Sequence, residues 1–133
     1  MNDILIPISP GELLDKITIL RIKCARIIEP IKLAHVRLEL SRLERSREAS
    51  LPAEADIAAE EAALERVNSQ LWDIEDRIRE HEAQQRFDAG FIELARTVYL
   101  RNDERAAIKR RINLKLDSAL IEEKSYRPYR QEP

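Results

Sequence analysis

The sequence predicts an all-α fold: an elongated antiparallel bundle of long helices, with a kink or break near Pro30 and a short N-terminal extended segment. Three observations carry this. Apolar residues recur at spacings alternating between three and four, as in a heptad or coiled-coil stripe. Charged residues make up 36% and apolar ones 44%, the balance of long solvated helices packed along one face. Only two glycines occur, which sets an all-β reading aside. At 133 residues the chain reads as a single helical domain over residues 1–133 with one core.

Ile4-Leu5-Ile6-Pro7-Ile8 opens the chain as a β-branched, extended segment in which Pro7 suits an edge or an end. One strand makes no sheet, so it must lie across the helices or pair with its copy in another subunit. Ser9 and Glu12 then form a capping box, Pro10 takes the first helical position, and Ile8 with Leu13 forms a hydrophobic staple. The apolar stripe runs Leu13, Ile17, Leu20, Cys24, Ile27, Ile31, Ala34, Leu38. Pro30 interrupts it by removing a helical N–H and crowding the preceding turn, so the helix bends or breaks near Ile28-Glu29. A second row, Leu33, Val36, Leu40, Leu43, indicates that the buried face rotates there. Helices are expected over 10–28 and 31–47.

Residues 48–53 form a loop, with Ser50 as a cap and Pro52 in the first turn of a long helix to Gln85. Its stripe is Ile57, Leu64, Val67, Leu71, Ile74, Ile78, and its other faces are acidic. Asp73 with Arg77 and Glu75 with Arg79 are favourable pairs four apart. Asp88 caps the last helix, with Phe87 and Ile92 as its staple, and the helix runs to about Leu116. A further turn is expected over 118–124, followed by a C-terminal tail (125–133) whose Tyr126, Arg127, Tyr129 and Arg130 either dock across a neighbouring subunit or remain mobile, with docking favoured because Tyr and Arg are enriched in interfaces.

Charge is unevenly spread. Residues 1–50 carry nine cations against seven carboxylates, residues 51–90 four against eleven, and residues 91–133 ten against seven. The net charge of −2 lacks the dominant basic surface that nucleic-acid binding requires. Cys24 has no partner for an internal disulfide and reads as a small buried hydrophobe. The N-terminal run has no signal-peptide pattern and no window approaches the ~18 apolar residues of a membrane span, which predicts a cytoplasmic protein without membrane association.

Four blocks carry a family resemblance: Ser9-Pro10-Gly11-Glu12-Leu13-Leu14-Asp15-Lys16, Leu71-Trp72-Asp73-Ile74-Glu75-Asp76, Asn102-Asp103-Glu104-Arg105-Ala106 and Glu122-Glu123-Lys124-Ser125-Tyr126. In that order they resemble a family of small bacterial helical proteins that is a domain of unknown function. The resemblance implies a cytoplasmic protein associated with cell-surface polysaccharide systems, and it implies no activity, ligand or cofactor.

The chemistry-bearing residues form three groups. Tyr99, Asn102, Lys109 and Asn113 recur at helical spacing on the last helix, with Arg105 beside them. Facing the bundle, Arg105 and Lys109 need anions, because an unpaired buried charge is expensive. Carboxylates such as Asp15, Asp73 and Asp76 would make a structural ion network, and a phosphate or carboxylate ligand would make a binding site. On the first helix Lys16, Lys23 and Arg26 share a side next to Asp15, either solvated or converging on the same ligand. The third group is acidic: Asp15, Asp73 and Asp76 are the residues that could hold Mg²⁺, although no metal is expected. His35 and His81 lack ligand spacing.

The expectation is therefore a non-enzymatic interaction or accessory protein with no cofactor. It is expected to act as a homodimer because a bundle this thin would expose apolar residues on more than one face. The alternative is a binder or enzyme acting on a phosphorylated or carboxylated ligand at the cationic inter-helix site.

Overall fold

A computed structural model describes residues 1–129 as four α-helices with no strand among the described residues. They are α1 (Pro10–Arg26), α2 (Pro30–Ser50), α3 (Ala58–Ala83) and α4 (Ala89–Lys115). The fold is the all-helical bundle that the periodicity predicts, and its differences lie at the connections.

Ser9 caps α1 as expected, its Oγ accepting the Glu12 N–H at 3.1 Å. The reciprocal half of the box is absent: the Glu12 carboxylate turns to Lys109 at 2.8 Å. α1 stops at Arg26, two residues short of the expected end, and Ile27 and Glu29 are extended. The ring of Pro30 disfavours the helical conformation at the residue before it. The break reverses the chain: Arg21 lies 3.7 Å from Glu44, so α2 returns alongside α1 instead of prolonging it as one bent rod.

α2 runs on to Ser50, so Ser50 ends a helix and does not cap the next. α3 starts only at Ala58, six residues later than expected, because residues 51–57 are spent carrying Ile57 into the core. Both long helices end in a Schellman arrangement with a non-glycine residue in the left-handed region. Gln85 (φ 53°) closes α3, with Arg86 N–H donating to the His81 carbonyl at 2.9 Å. Asp117 (φ 51°) closes α4, with Ser118 N–H donating to the Asn113 carbonyl at 2.9 Å. The expected helical turn over 118–124 does not form. Asp88 caps α4 through the Phe91 N–H, and Phe87 packs edge-on against Phe91.

α3 and α4 pack side by side, and α1 lies along both. The pairs Gly11–Asn113, Glu12–Lys109 and Asp15–Arg105 descend α4 as they ascend α1, so these two run antiparallel. The shared core is Leu14, Ile57, Leu64, Val67, Ile108 and Ile112. α2 stands outside it. Its backbone neighbours α1 alone among the helices, and none of its residues is buried. Leu33, Val36, Leu40 and Leu43 are half-buried, while Ile31 (75% exposed) and Leu38 (54%) point outward. The stripe that starts at Leu13 therefore leaves the core at the chain reversal. The segment 1–8 is irregular and touches α2 where Arg42 bonds Asp3, with Ile4, Leu5 and Ile6 exposed. Cys24 is a half-buried free thiol. No helix among the described residues is long and apolar enough to cross a membrane.

Candidate functional site

The strongest concentration of polar chemistry sits where α1 meets α4, and Gly11 makes it possible. A Cβ at Gly11 would lie 2.6 Å from the Lys109 carbonyl oxygen and 2.9 Å from Asn113 Oδ1. With no side chain there, the Gly11 N–H donates to Asn113 Oδ1 at 2.7 Å, satisfying one of the orphan donors of the first turn. Within the next two turns from this close approach Glu12 meets Lys109 and Asp15 meets Arg105.

Asp15 is the centre. Its side chain is 1% exposed, and Arg105 grips it with Nε on Oδ1 at 2.9 Å and Nη2 on Oδ2 at 2.5 Å. Asn68, from α3, adds its Nδ2 to Oδ1 at 2.9 Å and to Thr18 Oγ1 at 3.0 Å. Thr18 in turn donates to the Asp15 carbonyl at 2.8 Å, which leaves its lone pair for Asn68. Lys109 Nζ lies 2.8 Å from Glu12, 3.0 Å from Glu122 and 4.0 Å from Asp15.

The titration of these groups follows. Burial pushes the Asp15 carboxyl upward, but the bonds from Arg105 and Asn68 and the charges of Arg105 and Lys109 outweigh it, so the group is held below the usual carboxylate range. Burial likewise works against the Lys109 ammonium, and the Glu12 and Glu122 carboxylates overcome it, raising its value. The Asp15 hydrogen bond raises Arg105. Every buried charge has a partner of opposite sign, which is how such a group is kept ionised away from water. The arrangement fastens α1 to α4 and the chain segment after α4 to both.

Of the candidate residues, Asp15, Arg105, Lys109 and Asn113 come together here. Lys16 is exposed and 3.7 Å from Glu12. Lys23 is half-buried, has no ion pair among the described residues and joins nothing in the network. Arg26 turns away to Asp73, 2.5 Å distant, and lies 5.7 Å from the centroid of Trp72. Asp73 and Asp76 are exposed on α3, and among the described residues no cluster of three or more acidic, His or Cys side chains suits a metal ion. Tyr99 and Asn102 line a groove against the segment that follows α4. Of the tail residues expected to dock on a neighbour, Arg130 lies outside the described residues.

Sequence reasoning missed Asn68, Thr18 and Glu122. Asn68 stands four residues after Leu64 on the apolar stripe of α3, and a polar residue there is the signal that could have found it. A second ion cluster also escaped it: Glu61 binds Arg47 bidentately and Arg21 at 2.9 Å, tying the end of α2 to α3.

Residues 4–133 match the model of a family of unknown function, DUF6165, and the chain belongs to that family. No curated protein and no solved structure matches the chain.

Proposed function

We propose that this DUF6165 member is a non-enzymatic helical interaction protein of the cytoplasm that works as a homodimer through α2. The observation that carries the reading is that α2 contributes no buried residue while showing Ile31 and Leu38 to solvent. Burying side chains of this size contributes about 1.5–3 kcal/mol each, so a helix left outside the core gains most from a second surface. Leu38 and Arg42 are one turn apart on that outer face, and Arg42 bonds Asp3. The bare Ile4-Leu5-Ile6 segment therefore begins where the stripe of α2 ends, enlarging the patch.

A second copy of the chain fits this patch. A two-fold axis through the middle of the stripe sets two α2 helices antiparallel, with Ile31 against Leu38 of the second copy. Lys32 and Glu39 are seven apart on one flank, both exposed and without an ion pair among the described residues, and the same operation brings Lys32 to within two residues, about 3 Å along the axis, of Glu39 of the other copy. The saturated state of the Asp15–Arg105–Lys109 network supports a scaffold and not a catalytic site. The association with cell-surface polysaccharide systems rests on the family resemblance alone.

Sedimentation equilibrium tests the reading. The wild-type chain is expected to run as a dimer at micromolar concentration, and the Ile31→Glu/Leu38→Glu variant as a folded monomer. A wild-type monomer throughout that range would defeat it.

A further inference from the structure

Away from the ion network, the N-terminal half of α4 and the segment following it enclose a groove of about 590 Å³. That volume lies within the ~300–1,000 Å³ of small-molecule sites. All three tyrosines of the chain, Tyr99, Tyr126 and Tyr129, line it. Tyr99 is 59% exposed and Tyr126 83%, so neither ring serves the core.

Lys124, Arg127 and the Asn102 amide have no ion-pair or hydrogen-bond partner for their side chains among the described residues. Lys124 lies 6.0 Å from the Tyr126 ring centroid, and neither Lys124 nor Arg127 has a carboxylate partner among the described residues. The contrast with Arg105 and Lys109, each neutralised by carboxylates, is plain. The Asn102 amide, half-buried in the wall, makes no hydrogen bond within the described residues. Asp103 also faces the groove but accepts the Tyr129 hydroxyl at 2.7 Å.

We propose that this groove binds a nucleoside phosphate, with the base stacked on Tyr99 or Tyr126, the Asn102 amide on the base edge, and the phosphate between Lys124 and Arg127. Each part of the ligand answers a part of the site. A base supplies a π-face for an exposed tyrosine and a donor–acceptor edge for an amide. A phosphate supplies the anion that Lys124 and Arg127 lack among the described residues. Inorganic phosphate would leave the rings unused, and a neutral nucleoside would leave the cations unused. The proposal stands independently of the homodimer.

Isothermal titration of the full chain with AMP and UMP, beside adenosine, glucose 6-phosphate and inorganic phosphate, tests it. At least one nucleotide is expected to bind saturably, about tenfold or more tighter than adenosine. Tyr126→Ala is expected to weaken that binding about five- to hundredfold. Lys124→Ala/Arg127→Ala should abolish the difference between AMP and adenosine. Tyr99→Ala should act like Tyr126→Ala, although Tyr99 also touches Tyr129, with 6.3 Å between ring centroids. All these side chains lie outside the core, so unchanged melting temperatures separate lost binding from lost folding. Absence of saturable binding by both nucleotides would overturn the proposal, as would binding unchanged in both Tyr99→Ala and Tyr126→Ala. So would glucose 6-phosphate or inorganic phosphate binding as tightly as AMP.

Discussion

Arg105 holds Asp15 through two parallel bonds, at 2.9 and 2.5 Å, and so joins α4 to a carboxylate that is closed off from water. Breaking such a pair from one side leaves a buried charge without its partner, at a cost of about 3–5 kcal/mol. Arg105→Met is therefore expected to lower the melting temperature by on the order of 10 °C or more. Replacing both partners removes the buried charge altogether, so Asp15→Leu/Arg105→Met should recover much of that loss. A single Arg105→Met variant melting like the wild type would show that the pair is not what fastens α1 to α4.

The same network sets the pH range of stability. The Asp15 carboxyl titrates below its ordinary 3.8 when folded, so the folded state binds that proton less readily than the unfolded one. Its contribution is complete above about pH 4 and is lost as pH falls through the folded value. Glu61 acts in the same direction: burial raises it, and its bonds and charge contacts with Arg47 and Arg21 lower it further. Lys109 does the opposite, being raised from 10.5, so its contribution is complete below that pH and is lost as pH rises through the folded value. Urea midpoints measured against pH should show a plateau with two falling limbs. Asp15→Asn should weaken chiefly the acid limb and Lys109→Met chiefly the alkaline limb, each with a smaller effect on the other because the two charges act on one another; identical limbs in all three proteins would contradict the assignment.

Gly11 is needed for closeness and not for backbone freedom. An alanine there puts its Cβ 2.6 Å from the Lys109 carbonyl, a backbone atom that cannot swing aside, so α1 and α4 must separate. Gly11→Ala is expected to cost about 1–3 kcal/mol, the usual range for overpacking. Asn113→Ala should cost a similar ~1–3 kcal/mol by leaving the Gly11 N–H buried without an acceptor. Chemical denaturation of both variants checks this, and a Gly11→Ala protein as stable as the wild type would mean the helices are free to move apart.

These contacts explain which parts of the molecule were legible in the sequence. Ser9, Pro10 and Asp88 announce helix starts because a cap acts within one turn, and the three–four spacing of Leu64, Val67 and Leu71 announces a buried face for the same local reason. Arg105, Lys109, Asp15 and Asn113 could be marked as needing partners, since their types on apolar faces demand it. Which partners they take depends on packing between segments 13 to 90 residues apart, which the local pattern does not show for Glu122 and marks at Asn68 only as a polar residue on the stripe. Glu12 misled because one carboxylate had two uses, and the long-range ammonium of Lys109 won over the local N–H of Ser9. The late start of α3 was hidden because Pro52 and Ser50 are good helix-start residues, and only the burial of Ile57 decides otherwise.

α2 gives the last prediction. A helix whose apolar side chains are at best half-buried adds little to a lone chain and much to an assembly, so the folded state is stabilised by mass action when copies associate. The wild-type melting temperature is expected to rise with protein concentration. Leu38→Glu, on the 54%-exposed outer position, should remove that dependence and melt at the low-concentration limit of the wild type. The two behaviours separate two structures of the same patch. If Leu38 packed within its own chain, the charge would lower the melting temperature by a fixed amount at every concentration. If it packs against a second copy, the two proteins agree in dilute solution and diverge only as concentration rises.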